Sequence, residues 1–208
     1  MSSIRDEVLA ANAAYARTFE PRHLPMRPVR RLAILTCMDA RMDPVAFAGL
    51  REGDAHVVRN AGGRASDDAI RSLVMSHKLL GTDQWLVIHH LGCGMETITD
   101  ETMRDLCARS LAPAVYEHGR WRDVGEGPGS HEAEFIDWLT IRDPEEAVVT
   151  DVRRLRFHPL VAPGVNIHGF LYDVATGRLT EVEAAGRIGR AAGAAADPGA
   201  GADAGAGK

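Results

Sequence analysis

Apolar positions along the chain recur with two periods that take turns. Residues 4–19, IRDEVLAANAAYARTF, place Ile4, Val8, Leu9 and Tyr15 at helical spacing, and the three prolines of EPRHLPMRP stop that helix. The first 30 residues therefore read as an N-terminal helical arm. Short oily runs then alternate with amphipathic ones: a strand over 31–37, a helix over 43–50, a strand over 55–59, a helix over 67–80, a strand over 85–90 and a helix over 95–109. Such alternation predicts parallel strands joined by right-handed crossovers. The clearest helix is DDAIRSLVMSHKLLG, with Ser66 as its cap, an apolar stripe of Ile70, Leu73, Val74 and Leu80, and Gly81 as its stop.

The pattern changes over residues 111–143, which are rich in Gly, His and charge and predict an irregular excursion with a helix near 131–140. Asp143 as cap, Pro144 at the first helical position and an acidic first turn predict another helix in DPEEAVVTDVRRLRF. VNIHGFLYDVATGRLTEV alternates apolar residues on both sides of ATGR, the pattern of a hairpin that extends a sheet edge. The expected fold is α/β: a mostly parallel central sheet of about four parallel strands plus an edge hairpin strand, flanked by helices. The main domain spans 31–185, and the Ala/Gly-rich stretch within 186–208 lacks core-forming residues and is expected to be disordered.

Composition narrows the function classes. A chain of 208 residues with 45% hydrophobic residues can bury a core, and a net charge of −5 with both signs interspersed gives no footprint for nucleic acid or an anionic membrane. No run of about eighteen apolar residues occurs, and the N-terminus has no uninterrupted apolar core of a secretory signal, so a cytoplasmic protein is expected. Three cysteines are an odd number and argue against a disulfide framework, which leaves metal binding or catalysis as uses for the thiols.

Two motifs carry the chemistry. LAILTCMDARMDP ends an oily strand on Cys37, Asp39 and Arg41, and QWLVIHHLGCGM ends another on His90 with Cys93 three residues on. A thiolate binds zinc only when deprotonated, and a helix beginning near Met95 would lower the pKa of Cys93. In a doubly wound sheet the first strand lies beside the third, and sites open at the carboxyl ends there. Cys37 and His90 would then converge, with Cys93 one turn away. A Cys₂His set leaves the fourth position of Zn²⁺ open, as catalytic zinc requires. On an extended strand His89 faces the opposite side from His90, so the spacing to Cys93 selects His90 as ligand.

C-x-D-x-R followed some fifty positions later by H-x-x-C-G resembles the β-class carbonic anhydrases. The similarity continues through VVRNAGG at 57–63, DDAIRSLVMSHKLLGTDQWLVIHHLGCGM, and GFLYDVATGRLTEV near the end. It implies one Zn²⁺ per subunit and reversible hydration of carbon dioxide to bicarbonate and a proton by a zinc-bound hydroxide. Cys37, His90 and Cys93 would be the metal ligands. Asp39 would accept a hydrogen bond from the nucleophile while Arg41 grips its carboxylate, and would become a fourth ligand only in a closed state. Gly62 and Gly63 would let backbone approach substrate. Two thiolates make the site formally neutral, so the activity is expected to rise toward alkaline pH.

The resemblance also implies an obligate homodimer, or a higher assembly, with the N-terminal helix embracing the neighbouring subunit. Some members carry a bicarbonate pocket built on a tryptophan three positions before the first cysteine; Ile34 stands there, so that pocket is not carried over. Two alternatives remain at this level: a carbon disulfide or carbonyl sulfide hydrolase on the same zinc site, and a non-catalytic zinc-stabilised sensor in which Asp39 permanently closes the metal.

Overall fold

The computed structural model describes residues 3–20 and 23–192. Helix α1 (Ile4–Thr18) is capped by Ser3, whose hydroxyl accepts the amide of Asp6 at 3.2 Å. A five-stranded sheet follows, built from β1 (Leu32–Cys37), β2 (Ala55–Asn60), β3 (Gln84–His90), β6 (Asn166–Tyr172) and β7 (Leu179–Glu181). Its order is β2-β1-β3-β6-β7, with the first four strands parallel and β7 antiparallel to β6. Four parallel strands with a hairpin strand at the edge is the sheet that the alternation of periods predicts.

Side chains on both sides of β1 are packed into apolar clusters, which is why the strand is buried from Ala33 to Cys37 instead of alternating. On one face α3 (Asp67–Leu80) and α5 (Pro144–Arg156) bring Ile70, Leu73, Val148, Val152 and Leu155 against Leu35, Trp85, Val87 and Ile167. The other face packs Ile34, Ile88, Met42 and Tyr172 with Cys37 and Cys93. Both covering helices start where their caps predict: the Ser66 hydroxyl accepts the amide of Ala69, and the Asp143 carboxylate accepts that of Glu146 at 2.9 Å.

Four expectations differ from the structure. The helix expected from 95 begins at Asp100 (α4, Asp100–Arg109). Thr99 caps it by accepting the Thr102 amide at 3.1 Å, and the β-branched residues before it follow a 3-10 turn, Gly94–Glu96. The helix expected near 131–140 is a 3-10 turn, His131–Phe135, that buries only Ala133 and has no apolar stripe to extend it. Before that turn the excursion forms a hairpin of β4 (Val115–Glu117) and β5 (Arg120–Arg122), and α2 is a single turn, Pro44–Phe47. The boundary expected at 186 falls inside helix α6 (Glu183–Gly189), which buries Ala185 and Gly189. The remainder of the expected tail, 193–208, lies outside the described residues.

Candidate metal centre

Parallel pairing of β1 with β3, Thr36 beside Ile88, brings the carboxyl ends of the two strands out together. Cys37 is the last residue of β1 and His90 the last of β3, and the turn after β3 returns Cys93 to them. All three are buried, and their ligand atoms lie within 4.8 Å of one another. The two sulfurs are 3.9 Å apart, far beyond the S–S bond of a disulfide, and both cysteines are free. Two Zn–S bonds of about 2.3 Å at a tetrahedral centre span about 3.8 Å, so the pair is spaced as zinc ligands are.

The histidine is set for the same task. Its Nδ1 lies 3.1 Å from the Leu91 carbonyl oxygen, which fixes the proton there and leaves Nε2 with its lone pair. That Nε2 is buried with no hydrogen-bond partner. A buried nitrogen acceptor that faces two thiols and has no hydrogen-bond partner is set to ligate a metal. The donor set therefore fits Zn²⁺.

The cysteines share one easily formed charge. The hydrogen bond from Cys93 draws the Cys37 thiol down to about 4 against the cost of burial, with His90 and the backbone amides of Asp39 and Gly62 adding to the effect. The same contact, together with burial, pushes the Cys93 thiol up. Cys93 stands at no α-helix N-terminus, so the dipole argument for its acidity does not hold. What holds it is Glu96, whose carboxylate accepts the Cys93 amide at 2.7 Å.

Asp39 lies beside these ligands and outside their set. Arg41 grips its carboxylate as a fork, Nε to Oδ1 at 2.9 Å and Nη2 to Oδ2 at 2.6 Å, and the Arg41 amide adds a third bond to Oδ1 at 2.9 Å. The fork holds the Asp39 carboxyl far below the usual carboxylate range. Nη2 of Arg41 also donates to the Gly92 carbonyl at 3.0 Å, which ties the pair to the turn carrying Cys93. Oδ2 of Asp39 stands 3.6 Å from Nε2 of His90, so the ionised carboxylate faces the metal ligands without joining them.

Gly62 and Gly63 are buried at positive φ. A Cβ on Gly63 would lie 2.8 Å from the Cys37 backbone nitrogen and 2.9 Å from the Thr36 carbonyl carbon, so the turn rests directly on the end of β1. His89 faces the other side of the sheet, where its Nε2 meets Asp151 at 3.1 Å. Arg59 lies outside the two ligand motifs, yet it braces the loop that carries Asp39. Its Nε donates to the Cys37 carbonyl at 2.9 Å and its Nη2 to the Asp39 carbonyl at 2.6 Å. The signal was present in VVRNAGG, but its meaning depends on β2 lying beside β1 with Arg59 opposite Thr36.

The chain is similar to known proteins over most of its length. The family profile for carbonic anhydrase matches residues 32–179. "Beta-carbonic anhydrase 1" of Mycobacterium tuberculosis is 38% identical over 180 residues, 86% of this chain and 98% of the relative. "Carbon disulfide hydrolase" of Acidianus is 36% identical over 157 residues, 72% of this chain and 76% of the relative. The crystal structure of carbonic anhydrase from Streptococcus mutans superposes with a TM-score of 0.73 at 40% identity, covering 88% of this chain and 99% of the other. With a profile match spanning every one of the paired motifs and a relative matched over nearly its whole length, the chain belongs to the β-carbonic anhydrase family.

Proposed function

We propose that this protein is a zinc-dependent carbonic anhydrase that interconverts carbon dioxide and water with bicarbonate and a proton, working in the cytoplasm as a homodimer. The observation that carries this reading is the Asp39–Arg41 fork beside Cys37, His90 and Cys93. A purely structural zinc site has no use for an arginine that keeps a carboxylate off the metal.

Cys37, His90 and Cys93 would hold the ion. When bound there, zinc supplies Lewis acidity that lowers the pKa of water and makes hydroxide available near neutral pH. Asp39, kept ionised, accepts a hydrogen bond from the attacking oxygen through Oδ2 and orients its lone pair toward the carbon of CO₂. Arg41 serves this step by fixing both carboxylate oxygens. The Leu91 carbonyl keeps the His90 proton on Nδ1, and the Glu96 carboxylate steadies the Cys93 turn. Ile34, Ile88, Met42 and Tyr172 pack with Cys37 and Cys93 in an apolar cluster, and such low-polarity surroundings suit an uncharged linear substrate. Gly62 and Gly63 bring backbone to the same crevice and wall its substrate side.

The chain offers support for the finer points. Helix α1 buries none of its residues against the described chain and exposes Ile4, Val8, Leu9 and Tyr15, an apolar face suited to a second subunit. Three free thiols suit a reducing compartment, and among the described residues no helix is long and apolar enough to cross a membrane.

Stopped-flow CO₂ hydration by the zinc-loaded protein, from mildly acidic to alkaline pH, tests the reading. The expected result is a rate well above buffer that rises with pH; full zinc occupancy with no such rate overturns it. The Acidianus relative keeps a second substrate class in view, so hydrogen sulfide release from carbon disulfide is measured alongside. The near-complete coverage of the mycobacterial relative favours CO₂. A permanently closed sensor is disfavoured because Arg41 holds Asp39 apart from the ligands.

A further inference from the structure

On the face of β3 turned away from the metal ligands, three ionisable side chains are sealed together. His89, Asp151 of α5 and Arg64 expose 0%, 2% and 8% of their side chains. Arg64 grips both oxygens of Asp151, Nε to Oδ2 at 2.7 Å and Nη2 to Oδ1 at 3.2 Å, and His89 Nε2 meets Oδ2 at 3.1 Å. Arg64 Nη1 donates to the carbonyls of Leu139 and Thr140 at 2.7 and 3.2 Å. Burying charge is expensive, and an apolar set of equal volume is often at least as stable, so stability alone does not account for such a unit.

Two members of the unit, His89 and Arg64, and the backbone that Arg64 holds lead to the metal centre by short covalent paths, and Asp151 joins them. His89 immediately precedes the ligand His90. Arg64 immediately follows the Gly62–Gly63 turn, whose Gly63 lies against the Cys37 backbone and whose Gly62 amide favours the Cys37 thiolate. Leu139 and Thr140 lead into Ile141, whose amide donates to the Met95 carbonyl and whose side chain packs in the apolar cluster around Cys37 and Cys93.

We propose that Arg64, Asp151 and His89 form a positioning unit that sets the ligand geometry of the metal centre from behind, by clamping the Gly62–Gly63 turn and the end of β3 to one carboxylate. The proposal rests on the carbonic anhydrase reading only for the identity of the three ligands. None of the unit's members touches substrate; they act through Cys37 and His90.

The test uses the full chain with Co²⁺ in place of zinc, because thiolate-to-cobalt charge-transfer absorption reports ligand geometry independently of turnover. Asp151→Asn and His89→Gln are compared with Val152→Ala, a core substitution on the same helix that leaves the polar unit intact. Both polar variants are expected to bind one cobalt per chain, to shift the charge-transfer band, and to bind zinc about tenfold or more weakly in competition with a chromogenic chelator. Val152→Ala should lower the melting temperature and leave the band in place. Wild-type spectra for Asp151→Asn and His89→Gln, or an equal shift in Val152→Ala, overturn the proposal. If Asp151→Asn does not fold, His89→Gln decides the matter, because it keeps the Arg64–Asp151 pair. Absence of CO₂ hydration in the wild-type protein would remove the functional reading and leave this spectral comparison standing.

Discussion

The side chains around the metal centre divide by what their loss would do. Replacing Cys37, His90 or Cys93 with Ala removes a ligand, and purified protein is expected to carry little zinc by elemental analysis and to melt earlier. Asp39→Asn and Arg41→Ala remove an acceptor and its grip but no ligand. They should retain one zinc per chain and lose about 10²-fold or more in CO₂ hydration rate, measured by stopped flow. Asp151 gives a prediction with a definite sign. Burial alone would raise its carboxyl pKa, but hydrogen bonds from His89 and Arg64 outweigh burial and hold it below its ordinary value. A carboxyl depressed on folding stabilises the protein above the unfolded value of about 3.9, and that stabilisation disappears as pH falls through the folded value. The gap in melting temperature between wild type and Asp151→Asn is therefore expected to be open at neutral pH and to close on acidification. A gap independent of pH would mean that the charge of Asp151 is not what stabilises the fold.

Among the elements, the turn after β2 carries the tightest constraint. Gly63 sits at φ 70° with a Cβ position 2.8 Å from the Cys37 nitrogen, and the atoms it would meet are backbone, which cannot swing aside. Gly63→Ala is expected to cost about 3 kcal/mol in urea unfolding, from the strained φ and the collision combined, and to weaken zinc binding because the collision falls on Cys37. Elements were legible where local signals agreed. Helix α3 has its cap, stripe and stop in one continuous stretch, and it spans Asp67–Leu80 as its periodicity predicts. Residues 94–99 misled because GMETIT continues an apolar pattern into α4 while Thr99 offers a better cap than Cys93, and the hydroxyl cap decided where the helix starts.

At the scale of the whole molecule, α1 is the part that the rest of the chain does not explain. It is a well-capped helix with Ile4, Val8, Leu9, Tyr15 and the adjoining Phe19 all exposed. A helix this short gains little from propensity alone and depends on burying its apolar face. If a second subunit covers that face, the wild type is expected to run as a dimer in light scattering and the Val8→Glu, Leu9→Glu double variant as a monomer, with the Cys37–His90–Cys93 site still able to bind zinc. An unchanged mass would place the subunit contact elsewhere.

The sequence by itself determined the alternation of strands and helices, the capped starts of α3 and α5, the edge hairpin, and which residues could ligate a metal, because each is written in neighbours a few positions apart. Only the tertiary structure decided that Asp39 is held off the ligand set by Arg41 and Gly92, that Arg59 braces the loop, and that Asp151, 87 residues from Arg64, closes a buried unit behind the site. Those contacts depend on strand order, register and helix packing. Burial makes the resulting electrostatics strong, and burial is set by the whole chain.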